Sequence, residues 1–152
     1  MNIVELLNSE SVEAEIKSTT KDNVLAEMTD VLLRSAPELN RNEVLTVLRE
    51  RERLGSTGIG EGVAIPHGKL KDLDQLILSF GRSKAGVDFD SMDGKPAHLF
   101  FLLLAPEDSI SIHLKTLARI SKLLKDQDVR EQLLTADTAA AIYQIIQEKE
   151  SV

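Results

Sequence analysis

The chain has 152 residues, of which 42% are apolar and 28% charged; that length and balance predict one domain with a sizeable buried core and argue against disorder. Its 25 acids against 18 bases give a net charge of −7, which argues against nucleic-acid binding because that needs a basic face. The lack of Cys excludes disulfides, a thiol nucleophile and thiolate metal sites, and the lack of Trp with only four Phe and one Tyr argues against base stacking or an aromatic sugar platform.

The first third reads helical. A short apolar turn, Ile3-Val4-Glu5-Leu6-Leu7, is followed by an extended stretch near Val12–Ile16, expected as an edge strand. Thr19-Thr20-Lys21-Asp22 then offers an N-terminal cap, and Val24, Leu25, Met28, Val31 and Leu32 follow at the spacing of one helix face. Pro37 ends that helix, and Asn40-Arg41-Asn42-Glu43 caps a second one with Val44, Leu45, Val47 and Leu48 inward. Its last turn, Arg49-Glu50-Arg51-Glu52-Arg53, sets three cations at the negative end of the helix dipole. The middle of the chain changes period: Val63–Ile65, Leu76–Phe80 and Val87–Phe89 are short strand candidates. The unbroken run Leu99–Leu104, between Pro96 and Pro106, reads as a central strand covered on both faces. The last third returns to helix. Asp108 or Ser109 opens a helix carrying Ile112, Leu117, Ile120, Leu123 and Leu124, Asp128–Glu131 caps a short one, and Asp137 or Thr138 starts the last, with Ile142, Ile145 and Ile146 inward. The order predicts an α/β domain over residues 1–152, with a mixed sheet of about five strands flanked by helices on both faces. No apolar run approaches the ~18–20 residues that span a bilayer. Met1–Glu5 has neither a basic n-region nor an apolar h-region. A cytoplasmic protein with no membrane insertion is therefore expected.

Four of the eight glycines lie in Gly55-Ser56-Thr57-Gly58-Ile59-Gly60-Glu61-Gly62, and Val63-Ala64-Ile65-Pro66-His67-Gly68-Lys69 follows directly. The glycines follow a helix and precede a strand, so they are not a dinucleotide fingerprint. Gly68-Lys69 precedes Leu70, so it is not a P-loop either. Two readings of the loop stand side by side, a flexible turn and a nest of backbone N–H groups for an anion. With no Cys and no Gly-x-Ser-x-Gly elbow, His67 is the best nucleophile on offer, and imidazole is available neutral near pH 7. The alternative is a loop histidine with a structural hydrogen bond. His113, in the first turns of its helix, is placed to donate to an anion or merely to face solvent. His98 reads as structural. Arg51 is suited to clamping phosphate, and by composition Arg49 and Arg53 are equally plausible. His67, His98 and His113 lack metal-ligand spacing, so neither a metal nor another cofactor is expected. Asp88–Gly94 reads as a turn rather than a calcium loop.

The stretch Arg51–Gly68, with its sequence Arg-Glu-Arg-Leu-Gly-Ser-Thr-Gly-Ile-Gly-Glu-Gly-Val-Ala-Ile-Pro-His-Gly, resembles the active-site signature of enzyme IIA domains. These are the mannitol/fructose class of the bacterial phosphoenolpyruvate-dependent phosphotransferase system. The resemblance covers nearly the whole chain. The Phe89–Asp90 turn, the Leu99–Ala105 strand followed by Pro106, and Ile112-His113-Leu114 all fall where the family has them. It implies a five-stranded mixed sheet flanked by helices. It also implies a phosphoryl acceptor at His67, through Nε2, a supporting arginine at Arg51, sixteen residues earlier, and a second active-site histidine at His113. Thr57, Gly58 and Gly60 are expected to support the phosphoryl oxygens. The implied donor is HPr or its nitrogen-branch paralogue, and the implied output is a regulatory target or a IIB domain. No IIB or IIC segment is expected beside the domain, and Pro66-His67-Gly68-Lys69-Leu70 looks more like the nitrogen type than the sugar types. A free-standing sugar IIA and a IIA-like module that only binds are the alternatives. A metal hydrolase built on His67 and His113 lacks further ligands. Part of the −7 is expected around His67, steering a carrier with a basic patch.

Overall fold

A computed structural model describes residues 2–150, so the outer ends of the expected domain, 1 and 151–152, lie outside the described residues. The apolar run at 99–104 forms the middle of its central strand. In chain order the elements are α1 (Ile3–Leu6), β1 (Leu7–Glu13), α2 (Lys21–Leu33), α3 (Arg41–Arg53), β2 (Gly58–Gly60), β3 (Val63–Ala64) and β4 (His67–Leu70). They continue with β5 (Ile77–Val87), β6 (Ala97–Pro106), α4 (Ile110–Lys125), α5 (Gln127–Thr135) and α6 (Ala139–Glu150). The sheet runs β1-β5-β6-β3-β2, and β4 also pairs with β6. Strand β6 is antiparallel to β5 but parallel to β3 and β4, so the sheet is mixed.

The continuous hydrophobicity of β6 resolves into two faces with the period of a strand. Leu99, Phe101, Leu103 and Ala105 pack with Ile120 and Leu124 of α4, Val129 and Leu133 of α5, and Ile142 and Ile146 of α6. Phe100, Leu102 and Leu104 pack with Val24, Met28 and Leu32 of α2 and Val44, Leu45 and Leu48 of α3. Burying each such side chain contributes about 1.5–3 kcal/mol, which is why this strand sits between two helical layers. The caps act where the sequence places them. Thr20 accepts from the Asn23 amide at 3.3 Å and Asn40 from the Glu43 amide at 3.1 Å.

Several expectations change in detail. The candidates Leu76–Phe80 and Val87–Phe89 become one strand, β5, which continues through Arg82. That residue is fully buried. Its guanidinium donates to the carbonyls of Ala14 at 2.9 Å, Leu133 at 2.9 Å and Leu134 at 3.1 Å. The last two lie at the negative end of α5, where a cation is favoured. A charge in sequence thus conceals a core strand. The edge strand lies at Leu7–Glu13 rather than Val12–Ile16, and the cap of α5 is Asp126, which accepts from Asp128 at 2.9 Å. Among the described residues the sheet has six strands, because β2 and β4, both short, form within segments that read as loop.

Candidate functional site

Strands β3 and β4 follow one another along the same edge of β6, interrupted at Ile65-Pro66. Ala64 pairs with Phe100 and His67 with Leu103. The interruption leaves the Ile65 carbonyl turned to the His67 ring, and Nδ1 of His67 lies 2.8 Å from it. A carbonyl only accepts, so Nδ1 is the protonated nitrogen and the lone pair of the neutral ring is on Nε2. Helix α3 ends beside this point. Its Arg51 donates from Nε to His67 Nε2 at 3.3 Å and from Nη1 to the Gly55 carbonyl at 2.9 Å. Of the three arginines in that turn, Arg49 is held by Asp22 at 2.8 Å; the geometry brings Arg51 to His67.

His113 arrives from the first turns of α4. Its ring meets that of His67 edge-on, with centroids 5.3 Å apart at 83°. Of the apolar residues that α4 carries, Ile120, Leu123 and Leu124 face the core. Ile112 is exposed, while His113 and Thr116 are buried. His113 Nε2 is buried without a hydrogen-bond partner among the described residues, an uncommon state for a buried ring nitrogen. Burial, opposed by the Ile65 bond and reinforced by the Arg51 charge, holds His67 below the ordinary histidine value, with Glu52 pulling the other way. Burial first, then the charges of His67 and Lys69, push His113 down to about 4. Both rings are therefore neutral at pH 7. His98 is structural as read: its Nδ1 bonds the Ser83 carbonyl at 2.8 Å.

The Gly-rich segment is a folded hairpin rather than an open nest. Strand β2 pairs antiparallel with β3 across the Gly60-Glu61-Gly62 turn, whose three φ angles are 95°, 58° and 77°. Gly58 donates its N–H to Ser56 Oγ at 3.0 Å, and its carbonyl accepts from Met92 at 3.0 Å. Gly60 packs against Asp93, which accepts from the Glu61 amide at 3.0 Å. Both glycines thus join the hairpin to the 88–94 turn. Thr57 is buried, and its hydroxyl is bonded to Glu52. The structure brings His67, Arg51 and His113 together, joins Thr57 to Glu52, and ties Gly58 and Gly60 to the 88–94 turn. Sequence reasoning missed Glu52, and the only signal was its place one residue after Arg51. It also missed the reason for Gly68. A Cβ there would lie 2.3 Å from Cγ1 of Val47, so that glycine lets α3 approach β4.

Residues 5–149 match the family described as "Phosphoenolpyruvate-dependent sugar phosphotransferase system, EIIA 2". The chain is 44% identical over 149 residues to a nitrogen regulatory protein of Bradyrhizobium diazoefficiens, covering 96% of this chain and 95% of that one. It is 43% identical over 146 residues to the fructose-specific EIIABC component of Bacillus subtilis, covering 96% of this chain but only 23% of that protein. Among solved structures, the nitrogen regulatory protein IIA-Ntr of Neisseria meningitidis superposes with a TM-score of 0.88 at 35% identity, covering 95% and 98% of the two chains. Among the described residues no helix is long and apolar enough to cross a membrane. The chain belongs to the EIIA 2 family of the phosphotransferase system, whose members are phosphotransferase components, and is most like its nitrogen-regulatory proteins.

Proposed function

We propose that residues 1–152 act as one phosphohistidine carrier in the cytoplasm. The chain takes a phosphoryl group from the phosphohistidine of HPr or a nitrogen-branch HPr-like protein onto Nε2 of His67 and signals to regulatory targets by its phosphorylation state. One observation carries this reading. The Ile65 carbonyl occupies Nδ1, so the nucleophilic lone pair of a neutral ring points at Arg51 Nε beside the unpartnered Nε2 of His113. Phosphorus approaches Nε2 in line, and the carrier's imidazole leaves with the P–N bonding pair. Arg51 gives up its 3.3 Å contact for the phosphoryl oxygens, and His113 donates to them. The transition state is loose, so positioning and charge neutralisation supply most of the catalysis. Both ends of the transfer are phosphohistidines, so the step runs in either direction.

A docking surface supports a protein donor. Leu54 is 85% exposed just after Arg51, Met92 is 81% exposed beside β2, and Leu114 is 61% exposed next to His113. Ile59, Ile110 and Ile112 extend this apolar collar, the kind of patch that marks protein contact. The exposed acids Glu61, Asp90, Asp93, Glu107 and Asp108 lie on the neighbouring turns. The nitrogen-branch output is favoured by relatives matched end to end. A sugar output through a IIB protein is the second reading, favoured by the Bacillus subtilis relative.

Labelled phosphoryl transfer tests the proposal. Wild type takes label from the phosphorylated carrier, His67→Ala takes none, and Arg51→Ala or His113→Ala slows transfer by roughly 10²–10³-fold. Label on His67→Ala refutes the acceptor assignment. Onward transfer to the organism's IIB proteins selects the sugar output.

A further inference from the structure

Glu52 follows Arg51 at the end of α3, and its side chain is only 6% exposed. A buried carboxylate is tolerated only when its oxygens are well bonded. Here Oε1 accepts the Thr57 amide at 3.1 Å and the Lys21 ammonium at 2.9 Å, and Oε2 accepts the Thr57 hydroxyl. Lys21 in turn lies 4.9 Å from the centre of the Phe89 ring and 3.8 Å from Asp90. Ser56 ties the same turn down by donating to the Phe89 carbonyl at 2.7 Å. Glu52 therefore clamps four segments: the start of α2, the end of α3, the entry to β2 and the 88–94 turn.

Two lines of bonds lead from this clamp to the reacting nitrogen. In one, the last turn of α3 carries Arg51, which is braced on the Gly55 carbonyl and reaches Nε2. In the other, the Thr57 carbonyl accepts the Ile65 amide at 3.0 Å, and the Ile65 carbonyl holds Nδ1 of His67. Charge adds a second role. When Nε2 bonds phosphorus, the carrier's imidazole departs with the P–N pair, and the proton stays on Nδ1, which donates it to the Ile65 carbonyl. The His67 ring then gains imidazolium character. The groups that bear on that ring are Arg51, Glu52, the Ile65 carbonyl and His113, with Lys69 beside His113. Arg51 opposes a cationic ring, whereas Glu52 and the Ile65 carbonyl favour one.

We propose that Glu52 is a positioning residue for phosphoryl transfer, fixing Arg51 and His67 against each other through Thr57 and offsetting the positive charge that forms on the His67 ring. The proposal rests on His67 being the acceptor, and the test separates the two. Single-turnover transfer from phosphorylated carrier, at varied carrier concentration, is measured for wild type, Glu52→Gln, Thr57→Val and His67→Ala. The ring nitrogens of His67 are titrated by 15N NMR in each folded variant that retains the histidine. Glu52→Gln is expected to lower the maximal rate about tenfold to a hundredfold, the scale of a small misplacement of reacting groups. Half-saturation by carrier stays within about twofold, since a buried residue leaves the docking surface intact. His67 then titrates at lower pH in Glu52→Gln, whereas Thr57→Val slows transfer and leaves that titration in place. A purely structural Glu52 would change stability without moving the His67 titration or separating rate from half-saturation. Wild-type transfer and titration in Glu52→Gln, with His67→Ala inert, overturn the role of Glu52 alone. Label on His67→Ala overturns the acceptor reading beneath it.

Discussion

Burial and neighbouring charge keep His67 and His113 neutral, and this has two consequences for pH. Transfer needs the lone pair of neutral His67, so the acid limb of the transfer rate is expected below the ordinary histidine range, in line with its lowered value. Stability carries the same signature. His113 titrates near 6.5 when unfolded but near 4 when folded. Between those values the unfolded chain binds a proton that the folded chain refuses, so stability rises with pH across that window and is lost as pH falls through it. The ceiling on this loss from His113 is about 3 kcal/mol. Urea unfolding at pH 4.5 and 7.5 checks it: wild type should lose more stability on acidification than His113→Gln, and parallel losses would remove His113 as the source. At this scale His67 was legible in sequence as a candidate nucleophile. The resemblance, rather than composition, separated Arg51 from Arg49 and Arg53. The role of Glu52 was not legible, because only the tertiary contacts with Thr57 and Lys21 distinguish it from a solvated helix acid.

At the scale of elements, the site depends on how closely α3 approaches β4. Gly68 pairs with Leu104 on β6 while Val47 of α3 sits directly over it. Gly68→Ala is expected to cost about 1–3 kcal/mol through overpacking. Val47→Ala in the same chain should recover part of that loss, a coupling measurable by a double-mutant cycle in urea. Additive effects of the two substitutions would show that the contact does not limit the packing. The elements legible in sequence were those with a long periodic signal or a cap, namely α2, α3, α4, α5, α6 and β6. The two- to four-residue strands gain their stability from pairing, β3 and β4 along β6 and β2 on β3, which no local pattern displays, and of these only β3 carried an apolar signal. Strand β5 was split because Arg82 looks solvent-exposed until the carbonyls of α5 are placed around it.

For the whole molecule, the proposed docking surface pairs the exposed apolar side chains Leu54, Met92 and Leu114 with exposed acids on neighbouring turns, and each half has its own test. Leu54→Asp and Leu114→Asp are expected to raise half-saturation by carrier at least tenfold, as for an interface anchor, while maximal rate and stability stay near wild type. Stopped-flow transfer at increasing salt should slow as screening shortens the reach of those acids. A rate indifferent to salt would assign encounter to the apolar collar alone.

The amino-acid sequence by itself determined the layers and named a candidate for the chemistry: amphipathic helices, one strand apolar on both sides, and a histidine that is the best nucleophile on offer in the absence of cysteine. These are properties of composition and period, and they survive without knowledge of what packs on what. Only the tertiary structure decided which atoms meet. The break at Ile65-Pro66 sets the tautomer of His67, the end of α3 selects Arg51, the start of α4 turns His113 inward, and Glu52 holds the arrangement from behind. Those choices depend on contacts between residues far apart in the chain, whose geometry exists only once both helical layers close on the sheet.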